Sequence, residues 1–252
     1  MKATLYKNIE LVRIPVKAGV SEYYFPQNVS WADETIERIV PVIPQTACVD
    51  PMDGSTPIMD GSLYKDLFFN IYSADQKELL HACSCDQLVH TNNNPIALNS
   101  KLDLSLCNLY FTDDPTTDCT LLLYVYHGNR EVEIETMPAR SITVEFELQA
   151  GEEINFQEII QQYIHALPAK VKGVLMWNAI TAPAYFTLRD NKLQYMLQNL
   201  HSELARPQMN GGSAADTQLA PMLFDNIDIN FQYSHIRNCG SSAAVQKMTI
   251  LY

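Results

Sequence analysis

The sequence predicts an all-β protein built as two tandem antiparallel β-sandwiches, with one or two short helices confined to connections. Three observations carry this expectation. Apolar and polar residues alternate with period two in segment after segment, helical spacing is rare, and the second half repeats the apolar pattern of the first in the same order.

The alternation is plain in four places. Val12, Ile14 and Val16 alternate with Arg13, Pro15 and Lys17, and Leu102, Leu104 and Leu106 with Asp103, Ser105 and Cys107. Ile142, Val144, Phe146 and Leu148 alternate with Thr143, Glu145 and Glu147, and Ile227, Ile229 and Phe231 with Asp228, Asn230 and Gln232. A strand with one face on a core and the other toward water reads this way. Helical spacing occurs from Phe156 to Leu167, with Asn155 as a cap and Pro168 as a stop. Lys192 to Leu204 fits either a helix or a strand broken by a short turn. Two loops, Pro44 to Ser62 and Pro207 to Gln218, are rich in proline, glycine and aspartate and are expected to be exposed, mobile excursions.

The repeat rests on five segments in register order. Val12 to Gly19 matches Val144 to Gly151 at an offset of 132 (144 − 12), which puts Tyr24 on Phe156. Ile36, Ile39 and Val40 match Val171, Val174 and Leu175, and Phe68 to Ile71 matches Tyr185 to Leu188. Leu98, Leu102 to Leu104 and Leu106 match Leu223, Ile227 to Ile229 and Phe231 at 125 (223 − 98). Leu123 and Val125 match Met248 and Ile250 at the same offset (248 − 123). The shared Ala-Gly and the shared aspartate between large aliphatics add to the alternation itself. The join is expected near Gly128 to Arg140, giving a first sandwich over 1–132 and a second over 133–252. Each is the size at which a jelly roll or similar sandwich closes its core. The last strand, Val245 to Tyr252, is expected to be tied into a sheet.

Composition narrows the function. Of 252 residues 47% are hydrophobic, enough for two cores, while only 18% are charged. A weakly charged surface suits a subunit covered by neighbours, although β proteins as a class carry few Lys and Glu. The formal charge of −12 comes without any run of Lys or Arg, which argues against direct nucleic-acid binding. No stretch has the length of a signal-peptide core or an apolar membrane helix. Six cysteines without a regular framework are expected to be free thiols of a protein made in a cytoplasm.

Motifs for chemistry are sparse. His81, Cys83, Cys85 and His90 are the nearest approach to a metal site, but Cys-x-Cys is tighter than usual zinc spacing, and small buried strand residues explain it better. Asp50, Asp53 and Asp60 beside glycines hint at calcium without EF-hand spacing, and turn chemistry explains them more simply. No nucleophile elbow, phosphate loop or dinucleotide pattern is present. No catalytic, cofactor-binding or metal-ligating residue is therefore assigned, no cofactor is expected, and the chain is expected not to be an enzyme. Trp31 and Trp177 fall in regions that align, which places both in cores and counts against a carbohydrate-binding groove.

Two tandem jelly-roll-like halves, acidic and without a catalytic motif, resemble the double jelly-roll major capsid proteins of tailless icosahedral phages and viruses. Locally, Ile14 to Pro26, Leu67 to Tyr72, Asn93 to Ile96 and Cys119 to Tyr126 are similar to β-sandwich structural proteins of Bacteroidetes phages, some of them capsid proteins and others collar, ring or decoration components. The capsid resemblance implies a virion location and a homotrimer whose six sandwiches fill a six-neighbour lattice position. It implies other virion proteins as partners and a shell that can lie over an internal membrane without entering it. An auxiliary virion protein and a carbohydrate-binding sandwich are the alternatives.

Overall fold

A computed structural model of the protein describes residues 2–6, 8–88, 96–128, 130–133, 140–161, 170–179, 181–205 and 222–252. The chain is all-β with a few short helical turns. It divides into two compact units, Glu10–Gly128 and a second made of Met1–Ile9 with Asn129–Tyr252. The expected division at residue 132 thus differs in its N-terminal part, because the first strand belongs to the other unit.

The first unit contains β2 (Asn8–Val16, from Glu10 on), β3 (Glu22–Tyr24), β4 (Ile36–Val42), β5 (Leu67–Tyr72), β6 (Glu78–Ser84), β7 (Asn108–Phe111) and β8 (Cys119–His127). Its sheets run β3-β7-β5-β6 and β2-β8-β4. The alternation read from sequence sets the inward faces. Val12, Ile14 and Val16 from β2 and Leu121, Leu123 and Val125 from β8 share one core with Phe69, Ile71 and Leu109. Trp31 joins them, 2% exposed. A short helix, α1 (Cys85–Leu88), follows β6.

The second unit contains β1 (Lys2–Tyr6), β9 (Arg130–Glu133), β10 (Ser141–Leu148), β11 (Glu153–Asn155), β12 (Lys170–Met176), β13 (Ala184–Arg189), β14 (Tyr195–His201), β15 (Met222–Asp228), β16 (His235–Asn238) and β17 (Ala244–Leu251). The sheets run β10-β17-β12-β15-β1-β9 and β11-β16-β13-β14. β1 enters by pairing parallel to β15 and antiparallel to β9, which is why the N-terminus joins this unit. β17 is held on both sides, by β10 and β12, as expected for the C-terminal strand. The helix α2 (Phe156–Ile160) starts where expected, with the Asn155 side chain accepting from the Glu158 N–H at 2.8 Å. The ambiguous segment after Lys192 resolves into β14 and a 3₁₀ turn, Ser202–Ala205.

Strand order is common to the two units. Counting β10 to β17 as one to eight, the sheets read 1-8-3-6 and 2-7-4-5. In the first unit the segment around Ser100 stands in place of strand six, bridging β4 at Ile36, and the orders are 1-8-3 and 2-7-4-5. The likeness reaches single residues. In the hairpins β5–β6 and β13–β14, Gln76 and Leu193 carry φ of 61° and 62°, and Ala82 and Asn199 carry 45° and 49°. Both pairs stand 117 apart (193 − 76 and 199 − 82). At each bulge a side chain from the partner strand accepts the displaced N–H: Asn70 Oδ1 from Ala82 at 2.8 Å, and Thr187 Oγ1 from Asn199 at 3.0 Å. Gly19 and Gly151 close equivalent turns at φ of 76° and 71°.

Several expectations are corrected. Tyr24 does not correspond to Phe156; Phe25 does, because Phe25 N–H bonds Cys107 O as Phe156 N–H bonds Ser234 O. The sixth-strand match shifts by two: Leu102 bridges Ser73 as Ile229 bridges Asp190, an offset of 127 (229 − 102). Leu102 to Leu106 is a turn closed by Asp103 O, not a strand. The loop from Pro44 to Ser62 is exposed only in part, at Met52, Asp53, Ser55, Pro57 and Asp60 to Ser62 for example, and its inner residues are packed. Asp50 is fully buried and takes Arg13 Nε at 2.8 Å and Nη2 at 2.5 Å, while Met59 N–H bonds Thr120 O at 2.8 Å. Pro207 to Gln218 lies outside the described residues.

Candidate functional site

The outer face of β3-β7-β5-β6 in the first unit gathers aromatic rings and polar side chains. Antiparallel register places Glu22, Tyr110 and Phe68 in one cross-strand row and Tyr24, Asn108 and Asn70 in the next. Tyr72 and Glu78 form a third row. These residues alternate with core residues such as Leu109, Phe69 and Ile71, so period two aims them outward. Phe68 and Tyr110 stack with centroids 5.6 Å apart. Tyr24 is 57% exposed.

Hydrogen bonds fix this face. Glu22 Oε1 accepts from Asn108 Nδ2 at 2.7 Å and Tyr24 OH at 3.0 Å, and Asn70 Nδ2 donates to Asn108 Oδ1 at 2.9 Å. Glu78 Oε1 accepts from Tyr72 OH at 3.0 Å and lies 2.7 Å from His81 Nδ1. The His81 and Tyr72 contacts hold the Glu78 carboxyl below the usual range, and the Glu22 carboxylate raises the Tyr24 phenol. The result is a hydrogen-bonded, acidic, aromatic platform.

A cleft of about 610 Å³ lies elsewhere in the same unit, between the segments 43–48 and 58–64 and the start of α1. Its walls include Pro44, Ile58, Met59 and Tyr64, with the carboxyl groups of Asp60 and Asp86. The Ser62 hydroxyl, then its N–H, keep Asp60 below the ordinary carboxylate range.

The residues singled out from sequence do not converge. His81 is exposed on the platform, whereas Cys83 and Cys85 are buried. Positive φ at Ala82 breaks the alternation that would put His81 and Cys83 on one side. Burial raises the Cys83 thiol and pushes Cys85 up to about 12, so both favour the protonated form. His90 lies outside the described residues. Asp53 and Asp60 accept from Ser55, Thr56 and Ser62 in their own turns, and Asp50 pairs with Arg13, as turn and packing chemistry require. Trp177 corrects a second expectation. It is 38% exposed at the end of β12, its indole donating to Thr249 Oγ1 at 2.7 Å, and is not the core counterpart of Trp31.

One buried polar group has no signal in the sequence. Gln246, on β17, is fully buried with neither Nε2 nor Oε1 bonded. Its counterpart is Leu121 on β8, fixed by the matching pairs Val40–Tyr124 and Leu175–Thr249. The platform was equally hidden, since only the strand register brings Tyr24, Phe68, Tyr72 and Tyr110 together.

No family model matches the chain, and no curated protein matches it. Among solved structures, a chain from the atomic structure of Sulfolobus Turreted Icosahedral Virus is similar over 98% of this chain and 90% of its own, at 12% identity and a TM-score of 0.22. A cupin 2 conserved barrel domain protein from Leptotrichia buccalis is similar over 96% and 89%, at 5% identity and a TM-score of 0.17. Among the described residues no helix is long and apolar enough to cross a membrane.

Proposed function

We propose that the protein is a shell-building virion subunit, a major capsid protein whose trimers present six sandwiches to a six-neighbour lattice. The observation that supports it is the residue-level likeness of the two units: the orders 1-8-3 and 2-7-4-5 present in both, left-handed residues at the equivalent positions Gln76 and Leu193, and side-chain-bonded bulges at Ala82 and Asn199. The order 1-8-3-6 with 2-7-4-5 is that of a jelly roll, an architecture used by viral shells. A duplicated jelly roll turns threefold symmetry into pseudo-sixfold packing, because each chain supplies two similar but distinguishable blocks. On this reading the chain acts through surfaces, is not an enzyme, and works in the virion beside other virion proteins.

A second reading has one observation of its own. The exposed ring of Tyr24 and the half-buried rings of Phe68, Tyr72 and Tyr110, beside hydrogen-bonded amides and carboxylates, suit a carbohydrate, which stacks on ring faces and shares hydroxyls with such groups. Electron microscopy of the concentrated protein separates the two. Trimers, sheets or closed shells are expected; isolated single chains together with glycan binding would replace the shell reading by the second.

A further inference from the structure

We infer that a second copy of this chain docks a cationic corner of its second unit on the acidic, aromatic platform of the first unit. This rests on the shell reading and names the contact that would propagate it. The corner is built around Arg189 at the end of β13. Its guanidinium carbon lies 3.9 Å over the Tyr195 ring, and it donates to the Tyr195 hydroxyl and to Leu193 O. Among the described contacts two of its five N–H groups are used in this way. It makes no ion pair with a carboxylate among the described residues. Asn230 N–H bonds Arg189 O at 2.8 Å and Tyr233 N–H bonds Asn230 O at 3.2 Å, so the following turn sits beside it. Leu193, Tyr195 and Tyr233 are 43%, 48% and 48% exposed there. A fixed cation ringed by exposed apolar groups is the composition of an interface centre.

The platform has the opposite sign. Glu22 and Glu78 are bonded only to tyrosine, asparagine and histidine side chains among the described contacts, with no Lys or Arg ion pair. Carboxylates interleaved with Tyr24 and Tyr72 rings suit a guanidinium already stacked on an aromatic.

The internal correspondence shows that the difference is specific to each unit. At an offset of 117, Arg189 stands where the first unit has Tyr72 and Tyr195 where it has Glu78 (189 − 72 and 195 − 78). Equivalent strand pairs therefore present a cation in one unit and an anion in the other. The contact this favours is heterologous, first unit to second unit of the next copy, and such contacts close rings or extend lattices.

Sedimentation velocity of the full chain over a concentration series tests this, at low and physiological salt. The Glu22→Lys/Glu78→Lys variant and the Arg189→Glu variant are each expected to weaken self-association at least tenfold, with wild-type association itself weakening as salt rises. Mixed one to one, the two variants are expected to recover association as heterodimers and larger mixed multiples, because each keeps one intact half and the two reversed halves are again of opposite sign. That recovery could not come from misfolded chains. Wild-type assembly that both variants reproduce unchanged, or a mixture without heterodimer, would overturn the contact while leaving the shell reading in place. A wild-type chain monomeric at every concentration would end both. Glycan binding lost in Tyr24→Ala/Tyr72→Ala while association persists would assign the platform to carbohydrate and overturn the inference.

Discussion

Replacing Gln246 by leucine should stabilise the second unit. The amide is fully buried with neither donor nor acceptor matched, although the equivalent position of the first unit holds the fully buried Leu121. A buried, unsatisfied polar group costs about 1–3 kcal/mol. Glutamine and leucine are close in size, so Gln246→Leu opens no cavity and removes that cost. A gain of about 2 kcal/mol is expected, which for a unit of this size raises the thermal midpoint by roughly 4–10 °C. The tryptophans give unit-specific probes, since Trp31 lies in the first unit and Trp177 in the second. In a Trp31→Phe background, urea unfolding followed by Trp177 fluorescence should show a higher midpoint at unchanged slope. An unchanged or lower midpoint would refute the reasoning, because it would mean that the amide is satisfied in solution, for example by an internal water.

Three further outcomes are expected. Arg13→Met leaves the buried Asp50 carboxylate without its counter-ion and should cost the first unit about 3 kcal/mol in urea unfolding, part of it regained in Arg13→Met/Asp50→Leu, where the Met52 N–H loses its acceptor. Gly19→Ala and Gly151→Ala should each cost about 1 kcal/mol, and nearly equally, because both sites have positive φ and neither added Cβ meets an atom within 4 Å. Burial, set against the Glu153 carboxylate, lowers His235 below the ordinary 6.5, so its neutral form is favoured in the fold. The unfolded chain then binds more protons just below pH 6.5, and stability should fall as pH drops through that window. His235→Gln should flatten the dependence in midpoints measured from pH 7.5 to 5.5.

Much of the fold was legible because period-two alternation and shared turn residues survive in both halves. Gly19 and Gly151 both take positive φ, in a left-handed turn that tolerates little else. Alternation cannot distinguish registers two residues apart, which is why Asp103 was aligned with Asp228 when its structural equivalent is Asn230. Asp103 O and Asn230 O close the two equivalent turns. The inserted Val20 likewise moved Phe156 from Tyr24 to Phe25. The loop from Pro44 to Ser62 has the composition of a surface turn, which fits its exposed residues and gives no sign of the buried ones. The distant Arg13, together with the Met52 N–H, accounts for the Asp50 carboxylate inside it being buried. The platform was illegible for a related reason. Its rows join residues up to 88 positions apart (110 − 22), and no local motif announces them.

Sedimentation equilibrium of the purified full chain from low to high micromolar concentration puts the proposed shell-building role to its most direct test. A monomer–trimer equilibrium that shifts to trimers and larger multiples as concentration rises is the predicted result. A single ideal monomer across the whole range would contradict it.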